Sequence, residues 1–140
     1  MSEPIHDGGC LCGAVRYRAV GEPLWVAHCH CESCRKGSGA AMLTWVGLLQ
    51  DQFTWTAGAP VRFESSPGVR RAFCAACGTP LTYEAVRIAD EVHVTAGTLD
   101  DPASAPPTLH VWWEERLSWL HTDDGLPKFA KRARGADPVA

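Results

Sequence analysis

Apolar and polar residues alternate in short runs along much of this chain. Val15 and Tyr17 alternate with Arg16 and Arg18, the period of a half-buried strand. Phe53 and Trp55 alternate with Thr54 and Thr56, and Val61 and Phe63 repeat the pattern. Leu81 with Tyr83, and Val92 with Val94, supply two further strand faces. Leu24 to Ala27 is a short apolar run, and Ala41 to Leu49 reads as a buried strand interrupted only by Thr44. Leu109 to Trp113 is predicted as a last strand, and Trp119 and Leu120 as core. Gly21 with Pro23, Gly58 with Pro60, and the SSPG stretch at 65–68 punctuate these runs as turns do. Only Glu32 to Lys36 reads as a helical turn, closed by Gly37 and Gly39. Residues 1–9 read as a loose lead-in. Many short strands with Gly/Pro turns and no long helix predict a mainly β domain over residues 1–129. The last stretch, residues 130–140, carries no pattern and is predicted to be a flexible tail.

Composition narrows the function classes. The chain has 140 residues, 46% of them hydrophobic, which fits one globular domain. The net charge of −3, with both signs mixed along the chain, argues against a nucleic-acid partner. No apolar run reaches the ~18 residues of a membrane helix. The first residues, MSEPIHDGG, lack the basic and apolar regions of a secretory signal. The expected location is the cytoplasm, a reducing compartment in which clustered cysteines bind metal or do chemistry.

The seven cysteines change the picture most. They divide as two, three and two: Cys10 with Cys12, Cys29 with Cys31 and Cys34, Cys74 with Cys77. Three thiols within six residues cannot all pair with one another, but all three can face one zinc ion. The C-x-C at 10–12 and the C-x2-C at 74–77 add up to the four thiols of a closed structural site. Each is followed by a glycine, Gly13 or Gly78. The other arrangement joins Cys10 and Cys12 to Cys29 and Cys31. In the first arrangement Cys29, Cys31 and Cys34 hold a second zinc with one position open. Arg35 and Lys36 follow that cluster directly, and Arg70 and Arg71 precede the third knuckle. All four cations are candidates to bind a carboxylate of an incoming thiol. His28 and His30 flank Cys29. Each is a candidate zinc ligand, a proton carrier or a plain hydrogen-bonded side chain. His110 reads as a half-buried strand residue.

With these residues in view, the sequence resembles the glutathione-dependent formaldehyde-activating enzyme family, which includes centromere protein V. The matching pieces are GGCLCGAVRY at 8–17, CHCESCRKGSGA at 29–40, FCAACGTPL at 73–81, AGTLDDP at 96–102, HVWW at 110–113 and DGLPKF at 124–129. The resemblance implies a β-tent fold of small antiparallel sheets. It implies a structural zinc on Cys10, Cys12, Cys74 and Cys77, and a second zinc on Cys29, Cys31 and Cys34 near a glutathione site. The implied activity is that of a carbon–sulfur lyase, joining glutathione or a similar small thiol to formaldehyde or another small aldehyde. His30 is a candidate proton donor beside the three catalytic cysteines. Motif alone does not choose the function. The alternatives are a non-catalytic zinc-binding interaction module and a redox sensor whose cysteines release zinc on oxidation.

Overall fold

The computed structural model describes residues 2–140. Strands β1 (Ile5–Gly9), β2 (Arg16–Val20) and β5 (Phe53–Ala57) form a three-stranded antiparallel sheet in that order. The other strands are β3 (Trp25–Cys29), β4 (Leu43–Leu49), β6 (Val61–Ser66), β7 (Val69–Phe73), β8 (Pro80–Ala85), β9 (Glu91–Thr95) and β10 (Leu109–Val111). They build a seven-stranded sheet ordered β10-β3-β4-β9-β8-β7-β6. Its neighbours pair antiparallel except β10 and β3, which run parallel. The mainly β fold is the one the alternation predicts. The single α-helix among the described residues, α1 (Glu32–Ser38), is two residues longer than the predicted turn and ends at Gly39 in the left-handed conformation.

Alternation decides what each sheet buries. Tyr17 and Ala19 of β2 point inward, as do Val46 and Leu48 of β4 and Val92 and Val94 of β9. The Tyr17 ring stacks on Phe53 at 5.4 Å, and its hydroxyl meets Thr98 Oγ1 at 2.7 Å, so the one polar atom of this buried ring is paired.

Four local expectations are corrected. The lead-in is ordered from residue 5, because Ile5–Gly9 pairs along its whole length with β2. Its hydrophobic signal is missing because Ile5 is exposed while His6 and Gly8 face inward. Strand β4 begins at Leu43 rather than Ala41, and β10 stops at Val111. Trp112 then turns into the left-handed region at φ 54°, which costs energy for a bulky residue. Its N–H bonds to Lys131 O, and the next two amides bond to Phe129 O and Ala130 O. Trp119 is 67% exposed rather than core. It lies beyond the last strand, in a segment that no sheet covers. In the C-terminal stretch, Val139 N bonds to Lys128 O.

Gly47 lies directly beneath the Trp25 ring on the neighbouring strand. A Cβ at Gly47 would stand 2.3 Å from Trp25 Cε2. Gly47→Ala is therefore expected to destabilise the protein by about 1–3 kcal/mol, as overpacking does. Urea unfolding of the variant beside wild type measures this, and an unchanged midpoint would show that Trp25 moves away freely.

Candidate active site

Both cysteine groups sit where strands end. Cys10 and Cys12 follow β1, and Cys74 and Cys77 follow β7. Gly13 and Gly78 adopt φ of 81° and 79° and return their N–H to the carbonyls of Cys10 and Cys74. That left-handed turn, which a side chain disfavours, swings the second sulfur of each pair back toward the first. The four sulfurs lie within 4.8 Å of one another. Cys10 and Cys12 are 3.6 Å apart, and Cys12 and Cys74 3.8 Å. A tetrahedral zinc with 2.3 Å Zn–S bonds spaces its sulfurs by about 3.8 Å, so this group fits a closed site. Cys10 does not join Cys29: the alternative grouping left open by the spacing is not the one that forms.

The second group is built on the start of α1. Cys29 closes β3, Cys31 caps the helix and Cys34 lies one turn in. The Cys31 sulfur accepts the Cys34 N–H at 3.3 Å, and the Cys34 and Cys29 sulfurs are 3.4 Å apart. All three sulfurs lie within 4.8 Å. Trp45 Nε1 donates to the Cys34 sulfur at 3.3 Å. Trp25, Leu43, Tyr83, Val111 and Trp112 pack around the cluster.

The thiols are unequal. Cys31 is held well below the ordinary thiol range by the hydrogen bonds of Cys29 and Cys34, then by the Cys34 amide and the Arg71 charge. Cys29 is pushed up by sharing protons with Cys31 and Cys34, and further by burial. Cys34 gains from its bond to Cys29, but Cys31 and burial outweigh that and raise it. In the four-thiol group Cys77 is pulled down to about 5 by the Thr79 hydroxyl and by the Thr79 and Cys12 amides. Each group thus carries thiolate character at neutral pH, which is the ligand form a metal needs.

A cleft of about 510 Å³ opens beside α1, within the size range of small-molecule sites. Its walls include Glu32, Lys36, Leu43, Trp45, Phe63 and Arg71. No cysteine lines it; Trp45 and Leu43 line the cleft and also pack against the three-thiol cluster, and Trp45 alone of the two bonds to a cysteine sulfur. Of the four candidate cations, Lys36 and Arg71 face this space and Arg35 and Arg70 do not. Arg71 lies 5.1 Å over the Tyr83 ring and donates to Ser65. Arg70, on the opposite face of β7, lines a smaller hollow with Glu84 and Glu91. Lys36 is loosely paired with Glu32 at 3.5 Å.

His30 is fully buried. Its Nε2 meets His110 Nδ1 at 2.8 Å, and His110 Nε2 meets Asp124 Oδ2 at 2.8 Å. Burial, then the neighbouring His110 and His28, push His30 down to about 4, so its imidazole is neutral at pH 7. Trp45 and Asp124 are absent from the candidates named by sequence. Trp45 reads there as core, and Asp124 lies fourteen residues beyond the histidine it meets.

A family model described as Glutathione-dependent formaldehyde-activating enzyme matches residues 5–115. The chain belongs to that family. The match takes in both cysteine groups and every strand of the described residues, and none of residues 116–140. A Halomonas elongata protein assigned by name to glutathione-dependent formaldehyde-activating enzymes is 30% identical over 130 residues, 85% of this chain and 82% of that relative. An uncharacterized lyase of Schizosaccharomyces pombe is 29% identical over 80 residues, 57% of this chain and 58% of that relative. A Rhodobacter sphaeroides protein of known crystal structure shares the fold, with a TM-score of 0.57 and 19% identity over 88% of this chain and 98% of its own. Among the described residues of this family member, no helix is long and apolar enough to cross a membrane.

Proposed function

We propose that the protein catalyses reversible addition of a small thiol, such as glutathione, to formaldehyde or another small aldehyde. The observation that carries this reading is the three-thiol group beside a cleft that presents Lys36 and Arg71, in a chain of this family. The sulfur spacings and thiolate character fit a structural zinc on Cys10, Cys12, Cys74 and Cys77, and a second zinc on Cys29, Cys31 and Cys34. When bound at the second group, zinc supplies Lewis acidity that lowers the pKa of an incoming thiol.

The residues of the chain do the rest. Arg71 and Lys36 hold the carboxylates of the thiol by charge-assisted hydrogen bonds. Trp45 fixes the Cys34 sulfur where cluster and cleft adjoin, and Trp25, Tyr83 and Trp112 pack around the sulfurs. The substrate sulfur attacks the carbonyl carbon and forms the C–S bond. The π pair of the C=O bond moves to oxygen. That oxygen takes through water the proton the thiol released, giving the hydroxyalkyl thioether. His30, engaged with His110, stands as a support of the β3 end rather than the donor in this step.

Calorimetric titration of glutathione, with NMR detection of the product of glutathione and formaldehyde, tests the reading. Saturable heat and a rate above the uncatalysed addition are expected. No heat with glutathione, cysteine or other small thiols would overturn it and favour the interaction-module alternative. Arg71→Ala is expected to weaken glutathione binding by about 1.5–3 kcal/mol, roughly 10- to 150-fold, with zinc content unchanged. An unchanged dissociation constant would remove Arg71 from the thiol site.

A further inference from the structure

Strand parity separates two sets of side chains on β3. Cys29 pairs with Leu43 and Val111 and faces the thiol cluster, whereas His28 pairs with Thr44 and His110 and faces the other side of the sheet. On that side one ring nitrogen of His28, one of His110 and a carboxylate oxygen of Asp124 lie within 4.8 Å of one another. The His28 and His110 rings are 4.9 Å apart and tilted by 35°.

Each of the three groups is already anchored through its other polar atom. His28 Nδ1 meets Thr44 Oγ1 at 2.7 Å, which leaves Nε2 free. His110 Nδ1 meets His30 Nε2 at 2.8 Å, which leaves Nε2 toward Asp124. Asp124 Oδ1 accepts the Leu126 N–H at 3.1 Å, which turns Oδ2 toward His110. Metal-binding histidines are held in this way, with the second ring nitrogen engaged by a neighbour that sets tautomer and orientation. Donors on one tetrahedral zinc stand about 3.3 Å apart. His110 Nε2 and Asp124 Oδ2, at 2.8 Å, are already closer than that. A ring nitrogen of His28 lies within 4.8 Å of both. Asp124 is partly exposed, with 34% of its side chain accessible, so an ion has a route in.

We propose that His28, His110 and Asp124 form a separate site for one divalent transition-metal ion of the zinc class, distinct from both cysteine groups. Two imidazole nitrogens and a carboxylate oxygen form a borderline donor set, which suits zinc, nickel or cobalt and discriminates against calcium and magnesium. Asp124 belongs to the C-terminal segment, whose residues Pro127 and Phe129 already bond to the His110 backbone. A metal here clips that segment to β3 and β10.

The test uses the full chain carrying the zinc it retains after purification. Further Zn²⁺ is titrated by calorimetry while the imidazole ¹⁵N resonances are followed by NMR. One additional saturable equivalent is expected, with Nε2 of His28 and of His110 shifting together. Asp124→Asn should lower its affinity by about tenfold or more, and Thr44→Val, which removes only the hydroxyl holding His28, by roughly tenfold. If Asp124→Asn fails to fold, His28→Gln takes its place. Cys31→Ser should leave this equivalent unchanged, which separates the site from the thiol cluster whether or not the protein acts on glutathione. Absence of a further equivalent at millimolar zinc overturns the proposal. So does one whose affinity is the same in Asp124→Asn and His28→Gln, or one that shifts neither imidazole.

Discussion

Cys74→Ser is expected to leave most of the chain unfolded at 37 °C and to strip the zinc held with it. Cys74 is almost wholly buried at the end of β7. Its sulfur meets that of Cys12, 62 residues earlier in the chain. Cys10 and Cys12 hang from the three-stranded sheet, and Cys74 and Cys77 from the seven-stranded one. A metal shared by the four would tie the two sheets together. Structural zinc in small peptides binds with about 10–16 kcal/mol at pH 7. A whole domain is stable by only ~5–15 kcal/mol. Serine keeps the size of the side chain but supplies a poor zinc ligand, and it leaves three clustered thiols without their centre. Circular dichroism melting with metal analysis on the same sample decides the matter. A variant that melts with wild type would show that these four sulfurs share no structural metal.

Cys31→Ser should behave in the opposite way, staying folded while losing the second zinc and the thiol. Cys31 is the helix cap of α1, and its sulfur accepts the Cys34 N–H. Serine is among the best residues at such a cap, so the hydroxyl takes over that hydrogen bond and the helix keeps its start. The four-cysteine group is untouched. What changes is the ligand set: the thiol most inclined to ionise, supported by its two neighbours and by Arg71, is replaced by an alcohol that stays protonated. Zinc per chain is expected to fall from two to one, and the heat of glutathione binding to vanish, with the melting temperature nearly unchanged. If the variant instead unfolds, the three-thiol group is structural and the enzymatic reading of it fails.

The physical origin of the two behaviours lies in closure. Four thiolates from distant strands saturate a tetrahedral ion and fold the chain around it, whereas three from one turn leave a place for a ligand. Wild-type metal content and thiol affinity therefore report on different parts of the same molecule.

Much of this was legible along the chain. Cysteine spacing and the following glycines are local features, and they mark the knuckles before any strand is paired. Alternation marked β2, β5, β8 and β9 because one buried face needs one apolar residue in two, and it marked β6 although every residue of that strand is exposed. The cysteine knuckles could be named from spacing, and the family from the pieces around them, whereas which knuckles share a site is decided by the fold.

What tertiary structure alone decided is everything that depends on which strand lies beside which. Strand β1 has no apolar face of its own, so only its pairing with β2 makes it a strand. Arg70 and Arg71 are equivalent in sequence, but the parity of β7 sends Arg71 to the cleft with Lys36 and Arg70 to the other face. Trp119 has the composition of a core residue and no sheet to cover it. His28, His110 and Asp124 meet because β10 runs parallel to β3 and the chain then folds back. Short-range periodicity records which face of an element is apolar; it holds no information about the neighbour that face will meet, and long-range contacts set the second.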